Sequence, residues 1–326
     1  MKMWNYLNHL ATNKLFYLSF CFLLCFSCYK VEDTIQPQIT HHFNEYDIQS
    51  LASAFPKLSE EDKNSNWGKE YLIGLGFASD LDLYRAITTF KRAKYLLSSD
   101  EEDKIVRTDY LILLCYYFAK KYGDVIQTFN DSELAFVDKT FPPFSDLLII
   151  LHESYMQLKD EKNSEKTLHL IGKHYPEHFE KISLSNSCAK GEFQKMEQFA
   201  TKPQEKEMVT SLKTHYESNK KSIGKAQALN ALIPGSGYLY LGQKRSAVTS
   251  FLLNGLSIAA AYQFYNRGYI AAGIITTSFE MGWYFGGIYG AGQEAKFYNE
   301  RLYEGIAEKN MHKEKMFPIY LLKYAF

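Results

Sequence analysis

Apolar and polar residues follow two different patterns along this chain, and the change falls near residue 226. From about Asp47 to Glu217, apolar residues recur at spacings of three and four with charges between them, as in amphipathic helices. Further on, two stretches, 247–265 and 269–291, are almost free of charge. The pattern predicts an all-α chain, in which a charged helical domain precedes a hydrophobic helical region.

Each uncharged stretch is long enough to cross a membrane. The hydrocarbon core of a bilayer is about 30 Å thick, and a helix of about 20 apolar residues spans it. A link of only three residues, Asn266-Arg267-Gly268, separates the two stretches. We therefore predict a transmembrane helical hairpin within a membrane-associated domain at 218–304, with helices near 247–265 and 269–291.

A phrase rich in glycine comes just before the first predicted span, at residues 234–242. The proline ends the preceding helix, and the glycines permit a tight turn at the membrane surface, where tyrosine rings are favoured. With the basic pair Lys244-Arg245 that follows, the phrase resembles a motif of uncharacterised small bacterial membrane proteins. This resemblance covers roughly residues 225–292 and implies membrane residence without a known activity. Its marked positions are Pro234, Gly235, Gly237, Tyr240 and Gly242.

Small residues recur at helical spacing in both predicted spans. Gly282, Gly286 and Gly290 lie four residues apart on the second span, and Gly255 and Ala259 do so on the first. In lipid, helices associate where small residues let their backbones approach. We expect the second stripe to pack on the first within one chain; the alternative is a contact between chains in a homo-oligomer.

Two polar residues fall inside the predicted spans, Asn254 and Glu280. A carboxylate at the bilayer centre costs at least about 2.5 kcal/mol. We expect Glu280 to form a hydrogen bond, with Asn254 or Gln263 as partner, that holds the hairpin together. The alternative is a path for protons or a solute.

The charged region contains a repeated phrase. Gly74 lies on one predicted helix, and Ala86, Phe90 and Ala93 lie on the packing face of the next. This arrangement resembles a tetratricopeptide repeat, and degenerate copies follow at offsets of about 35 to 45 residues. Over residues 65–180 the resemblance implies an irregular helical solenoid, a fold that commonly binds proteins.

Residues 1–28 have the pattern of an export segment. Lys2 and Lys14 precede the apolar core Leu15–Phe26, which ends in Ser27-Cys28. A cysteine after a small residue resembles a bacterial lipoprotein signal, so Cys28 is a candidate for lipidation. A simple cleaved signal and an uncleaved anchor are the alternatives. The other predicted boundaries are a polar linker at 29–47, the tetratricopeptide-like domain at 48–217 and a C-terminal tail at 305–326.

Composition narrows the function classes. The 37 Lys and Arg residues balance 37 Asp and Glu residues, so the net charge is zero and nucleic acid is not an expected partner. Only Cys115 and Cys188 lie outside the export segment, and we expect them to be buried core residues rather than a disulfide. The phosphate-binding, hydrolase and zinc-protease motifs are missing from the sequence. We therefore predict no catalytic, cofactor-binding or metal-binding residues, and no enzyme.

These observations predict a bacterial envelope protein whose helical domain lies on the periplasmic side. Its expected role is to bind or scaffold other envelope proteins at the membrane. The alternative is a subunit of an envelope transport or secretion assembly, in which the glycine-rich hairpin oligomerises.

Overall fold

The computed structural model describes residues 31–39 and 45–326. Within these ranges the chain is almost entirely helical, so the predicted all-α class is confirmed. The described residues form two compact units. The large unit contains 38–39, 45–211 and 306–326, and the small unit contains 31–37 and 212–305. The export segment and its lipidation candidate Cys28 lie outside the described residues.

Consecutive helices make up most of the large unit, and the hydrophobic helices predicted after residue 226 lie in the small unit. The long helices α11 and α15 each contribute residues to both units. In chain order the helices are α1 (Glu45–Gln49), α2 (Glu60–Asn64), α3 (Asn66–Ser79), α4 (Leu83–Tyr95), α5 (Glu102–Phe118), α6 (Tyr122–Asn130), α7 (Phe144–Gln157), α8 (Glu161–His174), α9 (Pro176–Lys190), α10 (Phe193–Phe199), α11 (Pro203–Asn219), α12 (Ile223–Leu232), α13 (Ser236–Tyr240), α14 (Lys244–Asn266) and α15 (Ile270–Lys313). Two 3₁₀ helices, Glu133–Phe136 and Pro318–Leu321, and two strands, β1 (Ala52–Ser53) and β2 (Tyr324–Ala325), complete the described elements.

Four helix pairs of the large unit share one kind of turn. The turn residues Leu81, Lys120, Lys159 and Gly191 all have positive φ angles, and successive turns are 39, 39 and 32 residues apart. In the first turn, the N–H groups of Leu81 and Asp82 donate to the carbonyls of Ala78 and Phe77, at 3.0 and 2.8 Å. These bonds satisfy carbonyls that the end of a helix leaves free, which is the Schellman type of helix ending.

Side chains then start the second helix of two of these pairs. The carboxylate of Asp82 accepts from the N–H of Arg85, and that of Asp160 accepts from the N–H of Asn163. Such caps stabilise a helix start by roughly 1 kcal/mol. Reversal of the chain is therefore a local property of the sequence at these turns.

The first pair packs through a glycine. A Cβ atom at Gly74 would lie 2.7 Å from ring carbons of Phe90, so α3 and α4 meet closely only because this position has no side chain. Ala86, Phe90 and Ala93 on α4 are completely buried. The structure thus brings together the four residues that the repeat-like phrase singles out.

The middle helices of the large unit are buried on more than one face. Leu111, Leu113 and Leu114 on α5 are fully buried, as are Ile149 and Ile150 on α7. A helix that is apolar on all sides belongs to the inside of a domain. The thiols of Cys115 and Cys188 are also buried, and no disulfide joins the two.

Residues 306–326, which we expected to be a tail, pack into the large unit instead. Met316, Phe317 and Leu322 of this segment are buried. β2 pairs with β1 in parallel, Ala52 opposite Tyr324 and Ser53 opposite Ala325. The carboxylate of Asp146 accepts from the backbone N–H groups of Lys323 and Tyr324, at 2.7 and 2.9 Å. The tail prediction overlooked these contacts because they join residues that are about 180 to 270 positions apart in sequence.

The two apolar helices differ in extent from their predicted bounds. α14 begins three residues before the predicted start and ends one residue after the predicted end. α15 continues 22 residues past the predicted end at residue 291. The two helices lie side by side, since the Tyr265 hydroxyl is 3.2 Å from the Thr277 hydroxyl and the Tyr265 ring covers Gly273.

The glycine-rich phrase forms close contacts within the small unit. Gly235 has a φ angle of +94°, and a Cβ atom there would lie 2.3 Å from the carbonyl oxygen of Ala247. A Cβ atom at Gly237 would lie equally close to the carbonyl oxygen of Ala226. Gly242 also has a positive φ angle, and the Tyr240 ring lies 5.0 Å from the ammonium groups of both Lys221 and Lys225. Around this turn a small apolar core forms from Val31, Ile223, Ala226, Leu241, Ala291 and Ala295.

Two glycines on α3 give a matched test of the first crossing. Gly74→Ala should destabilise the protein by about 1–3 kcal/mol, because the methyl group would overlap the buried Phe90 ring. Gly76→Ala should stabilise it by roughly 0.5–1 kcal/mol, since a Cβ atom there meets nothing within 4 Å and alanine favours the helix. Thermal unfolding of the purified chain, followed by circular dichroism, measures both. Shifts of the same sign in the two variants would contradict the close crossing.

Candidate functional site

An open groove with aromatic walls runs along the outer face of α4 in the large unit. It encloses about 690 Å³. We call it the aromatic groove, and the residues that define it here are Tyr84, Ile87, Lys91, Tyr95, Leu96 and Tyr116.

The sequence of α4 explains why aromatic side chains point outward. Positions 86, 90 and 93 form the buried face of this helix, while positions 84, 87, 91 and 95 recur at spacings of three and four on the opposite face. Tyr84 is 82% exposed and Tyr95 is 91% exposed. Large exposed aromatic residues on one helix face are unusual for a surface that meets only water.

Two cations border the aromatic groove, and they differ in their bonding. The guanidinium of Arg92 pairs with the carboxylate of Glu70 at 2.6 Å. The ammonium of Lys91 donates to the Tyr116 hydroxyl at 2.8 Å and lies 5.3 Å from the centre of that ring. Among the described residues, no carboxylate pairs with Lys91. The aromatic groove therefore offers apolar surface together with an uncompensated positive charge.

Sequence reasoning missed this groove. It identified the buried face of α4 by the spacing of Ala86, Phe90 and Ala93, and it drew no conclusion about the opposite face. The available signal was the pair Tyr84 and Tyr95, which lie eleven residues apart and so share one face of a helix.

A second groove lies between α14 and α15 in the small unit and encloses about 700 Å³. Gly282, Gly286 and Gly290 lie along its α15 side, and Ser250, Leu253 and Asn254 lie along its α14 side. We call it the glycine groove. A Cβ atom at Gly282 or Gly286 would have no neighbour within 4 Å, while one at Gly290 would meet the Tyr238 hydroxyl.

This geometry does not fit the expected packing of one stripe on the other. Gly255, on α14, also faces open space and does not line the glycine groove. The close approach between the two helices occurs instead at Gly273, beneath Tyr265, and beside Gly287, which faces Asn230 and Ser250. Ala259, the other residue of the predicted stripe on the first span, lies on α14 four residues beyond Gly255. Spacing identified which glycines share a face of a helix, but it could not show which way that face points.

The polar residues Asn254 and Glu280 are both buried, at 4% and 8% exposure. The Asn254 amide donates to the Ser250 carbonyl at 2.7 Å, but its Oδ1 atom has no hydrogen-bond partner among the described residues. Neither carboxylate oxygen of Glu280 has one; the Ser257 hydroxyl approaches it without reaching hydrogen-bonding geometry. The expected bond between Glu280 and Asn254 or Gln263 is therefore not formed, and Gln263 is placed to accept from Arg267.

Among the described residues one helix, Lys244–Asn266, is long and apolar enough to cross a membrane. Only 17% of the most apolar 18-residue stretch of this helix is buried, so it is not a core helix of the small unit. Large side chains on its surface are exposed, among them Phe251, Leu256 and Ile258. On α15 the same is true of Ile274, Ile275 and Phe279.

Two ionisable side chains inside the large unit, Glu153 and His152, have structural partners. Glu153 on α7 accepts a hydrogen bond of 2.5 Å from the Tyr117 hydroxyl on α5. Burial raises the pKa of Glu153 to about 7, although Tyr117 and Lys120 both act to lower it. His152 is held between the Ser164 carbonyl and the Asn186 amide, each 3.0 Å away. These side chains connect helices and face neither groove.

Within the described residues, no group of three or more His, Cys, Asp or Glu side chains could hold a metal ion. The sequence-based prediction that the protein has no catalytic or metal-binding residues stays a prediction. No protein-family model matches the chain, and no curated protein and no solved structure matches it either. Arguments about its function therefore rest on its own residues.

The pKa of Glu153 predicts how stability changes with pH. This pKa lies near 7 in the folded protein and near 4.5 in an unstructured chain, so folding favours the protonated form. The contribution of Glu153 to stability is therefore largest below pH 4.5 and declines as the pH rises towards 7. The wild-type protein should lose stability between pH 5 and pH 8. Glu153→Gln, which keeps an acceptor for Tyr117, should make this decrease in the free energy of unfolding smaller by roughly 1–3 kcal/mol.

Urea unfolding of the solubilised chain at both pH values measures this difference. Glu161→Gln, at an exposed position of the same unit, is the control and should leave the pH dependence unchanged. An identical pH dependence in the Glu153→Gln variant and the wild type would contradict the role given to this carboxyl group.

Proposed function

We propose that this protein is a membrane-anchored scaffold of the bacterial envelope, which binds a partner protein through its large unit. The aromatic groove is the proposed binding site. The partner presents a segment that carries apolar and acidic side chains. The observation that carries this proposal is the exposure of Tyr84 and Tyr95 beside Lys91.

The chemistry of the groove supports a protein partner. Tyrosine and arginine are enriched among residues that dominate binding energy, because they bury large surfaces and keep a polar group available. Lys91 lacks a carboxylate partner among the described residues, so an acidic side chain of the partner would complete an ion pair beside an apolar contact.

The turns of the large unit support a tetratricopeptide-like solenoid. Three similar intervals of 39, 39 and 32 residues separate the left-handed turn positions, and each interval covers one helix pair. Repeat proteins of this kind expose long surfaces to partners, because each pair contacts mainly its neighbours.

Exposed apolar surface supports the membrane-anchored part of the proposal. α14 has 23 residues and a length of about 34 Å, which covers a hydrocarbon core of about 30 Å. A helix with the exposure of Leu256, at 68%, belongs in lipid rather than in water. We propose that α14 and the apolar start of α15 form a transmembrane hairpin, that the large unit is periplasmic, and that Cys28 is lipidated after export.

A second candidate function is that of a subunit in an envelope transport or secretion assembly. The open glycine groove favours it, because Gly282 and Gly286 leave backbone surface on α15 free for another helix.

Photo-crosslinking in bacterial cells tests the aromatic groove. A photoreactive residue at Tyr84 or Tyr95 of the full chain should capture the same partner protein, identified by mass spectrometry. The same residue at Tyr46 should not, although Tyr46 is also exposed in the large unit. Lys91→Glu should lower the yield about fivefold, because it places a carboxylate opposite the acidic segment.

Lys69→Glu is the matched charge change on the neighbouring helix α3, at an exposed position outside the groove, and it should have little effect. Equal capture from Tyr46, or an equal loss in Lys69→Glu and Lys91→Glu, would contradict partner binding at this groove.

Alkaline extraction of membranes tests the proposed span. The Cys28→Ala chain cannot be retained by an acyl group on Cys28, so it should stay in the membrane pellet only through an inserted segment, which is either α14 or an uncleaved apolar segment 15–26. Adding Leu256→Arg should release a large part of it, since a central arginine costs about 2.5–3.5 kcal/mol on insertion scales.

Leu72→Arg, at an exposed leucine of the large unit, should leave the pellet unchanged. Release of the Cys28→Ala chain itself would refute the span. Labelling with a palmitate analogue in the same cells tests lipidation. The wild-type chain should carry the label and the Cys28→Ala chain should not.

A further inference from the structure

The glycine groove has the dimensions of a site for another helix. It runs along α14 from Arg245 to Asn254, ten residues whose ends are about 14 Å apart along the helix. If α14 spans the bilayer, this length is about half of the hydrocarbon core. The end near Arg245 also carries Gln243 and Glu294, which are joined by a hydrogen bond of 2.5 Å, while the other end reaches the middle of α14.

The α15 side of the glycine groove exposes backbone. Gly282 and Gly286 are one helical turn apart, and a Cβ atom at either would have no neighbour within 4 Å. In lipid, such positions let a second helix approach closely, and this approach supplies the packing energy that the hydrophobic effect does not supply there.

An unpaired acceptor provides a second and independent observation. Asn254 is 96% buried, it lines the glycine groove, and its Oδ1 atom has no partner among the described residues. With no water in hydrocarbon, such an atom costs several kcal/mol unless a donor reaches it. An acyl chain would fill the groove but would bring no donor at the depth of Asn254.

A donor lies on the same surface. Trp283 lines the groove and is 51% exposed, and its indole N–H donates to no described residue. The groove therefore carries an unpaired acceptor and an unpaired donor on either side of open glycines. A surface that carries both halves of a hydrogen bond suits a two-fold contact, in which each partner supplies the group that the other lacks.

We propose that the glycine groove binds the same groove of a second copy of this chain. The two α15 helices meet at Gly282 and Gly286, and Trp283 of each copy donates to Asn254 of the other. The proposal rests on the membrane location proposed above, because in lipid the packing energy between helices comes from close approach at such glycines.

Two neighbouring leucines provide the test. A photoreactive residue at Leu253, which lines the groove, should link two copies carrying different affinity tags in membranes. At Leu252, which is also exposed but points about 100° away around the helix, the dimer yield should be at least fivefold lower. Gly286→Leu should abolish the Leu253 dimer, whereas Gly255→Leu, at an open glycine outside the groove, should preserve it.

The hydrogen bond is tested by milder changes. Asn254→Leu and Trp283→Phe should each lower the dimer yield about three- to tenfold, as expected for an interhelical bond in a membrane. The double variant should show little further loss, because both changes remove the same bond.

Alkaline extraction of the same membranes separates this proposal from the membrane proposal. A chain that is released refutes the membrane location and the dimer together. A chain that stays in the pellet but gives equal dimer yields at the two leucines refutes the dimer alone. Adducts from Leu253 with a lipid, with residues 15–26 of the same chain or with another protein identify a different occupant and overturn the proposal.

Discussion

A backbone can come closest to a neighbouring ring or carbonyl group where it carries no Cβ atom at the point of contact. Three contacts of this protein depend on this condition. Gly74 meets the Phe90 ring in the large unit, and in the small unit Gly235 and Gly237 meet the carbonyl oxygens of Ala247 and Ala226. Any side chain at these positions would force the neighbouring element away. At Gly282 and Gly286, in contrast, a Cβ atom would meet no described residue within 4 Å. These two glycines therefore have no evident packing role within one chain.

The two grooves differ in what their vacant surface offers. In the aromatic groove the side chains are large, exposed and near a cation, so the contact that completes it would bury tyrosine rings and pair Lys91. In the glycine groove the vacant surface is backbone and small side chains, with one unpaired acceptor at Asn254. The first suits a protein segment that arrives from water. The second suits a helix that arrives within lipid, where a free acceptor has no water to bind.

Properties that depend on neighbouring residues could be predicted from the sequence. The all-α class followed from the spacing of apolar residues, and Gly74, Ala86, Phe90 and Ala93 lie at one crossing because a short turn joins their helices. Properties that depend on residues far apart in the chain could not be predicted in this way. The capture of residues 323–324 by Asp146, and the direction in which the Gly282 stripe faces, follow from packing across the chain. The aromatic groove was missed for a different reason, since exposed tyrosines on a charged helix resemble an ordinary solvated face.

Asn254 and Glu280 show why burial alone does not identify a working polar group. Both are nine-tenths buried or more and both have unpaired oxygens, but only Asn254 lines a groove that another molecule can enter. Its amide already donates to the Ser250 carbonyl, which leaves Oδ1 as the unpaired atom of this side chain. Glu280 has the Ser257 hydroxyl of the same chain nearby, and it does not line the glycine groove. For Asn254 we propose a donor from a second copy, because this residue lines the groove that such a copy would occupy.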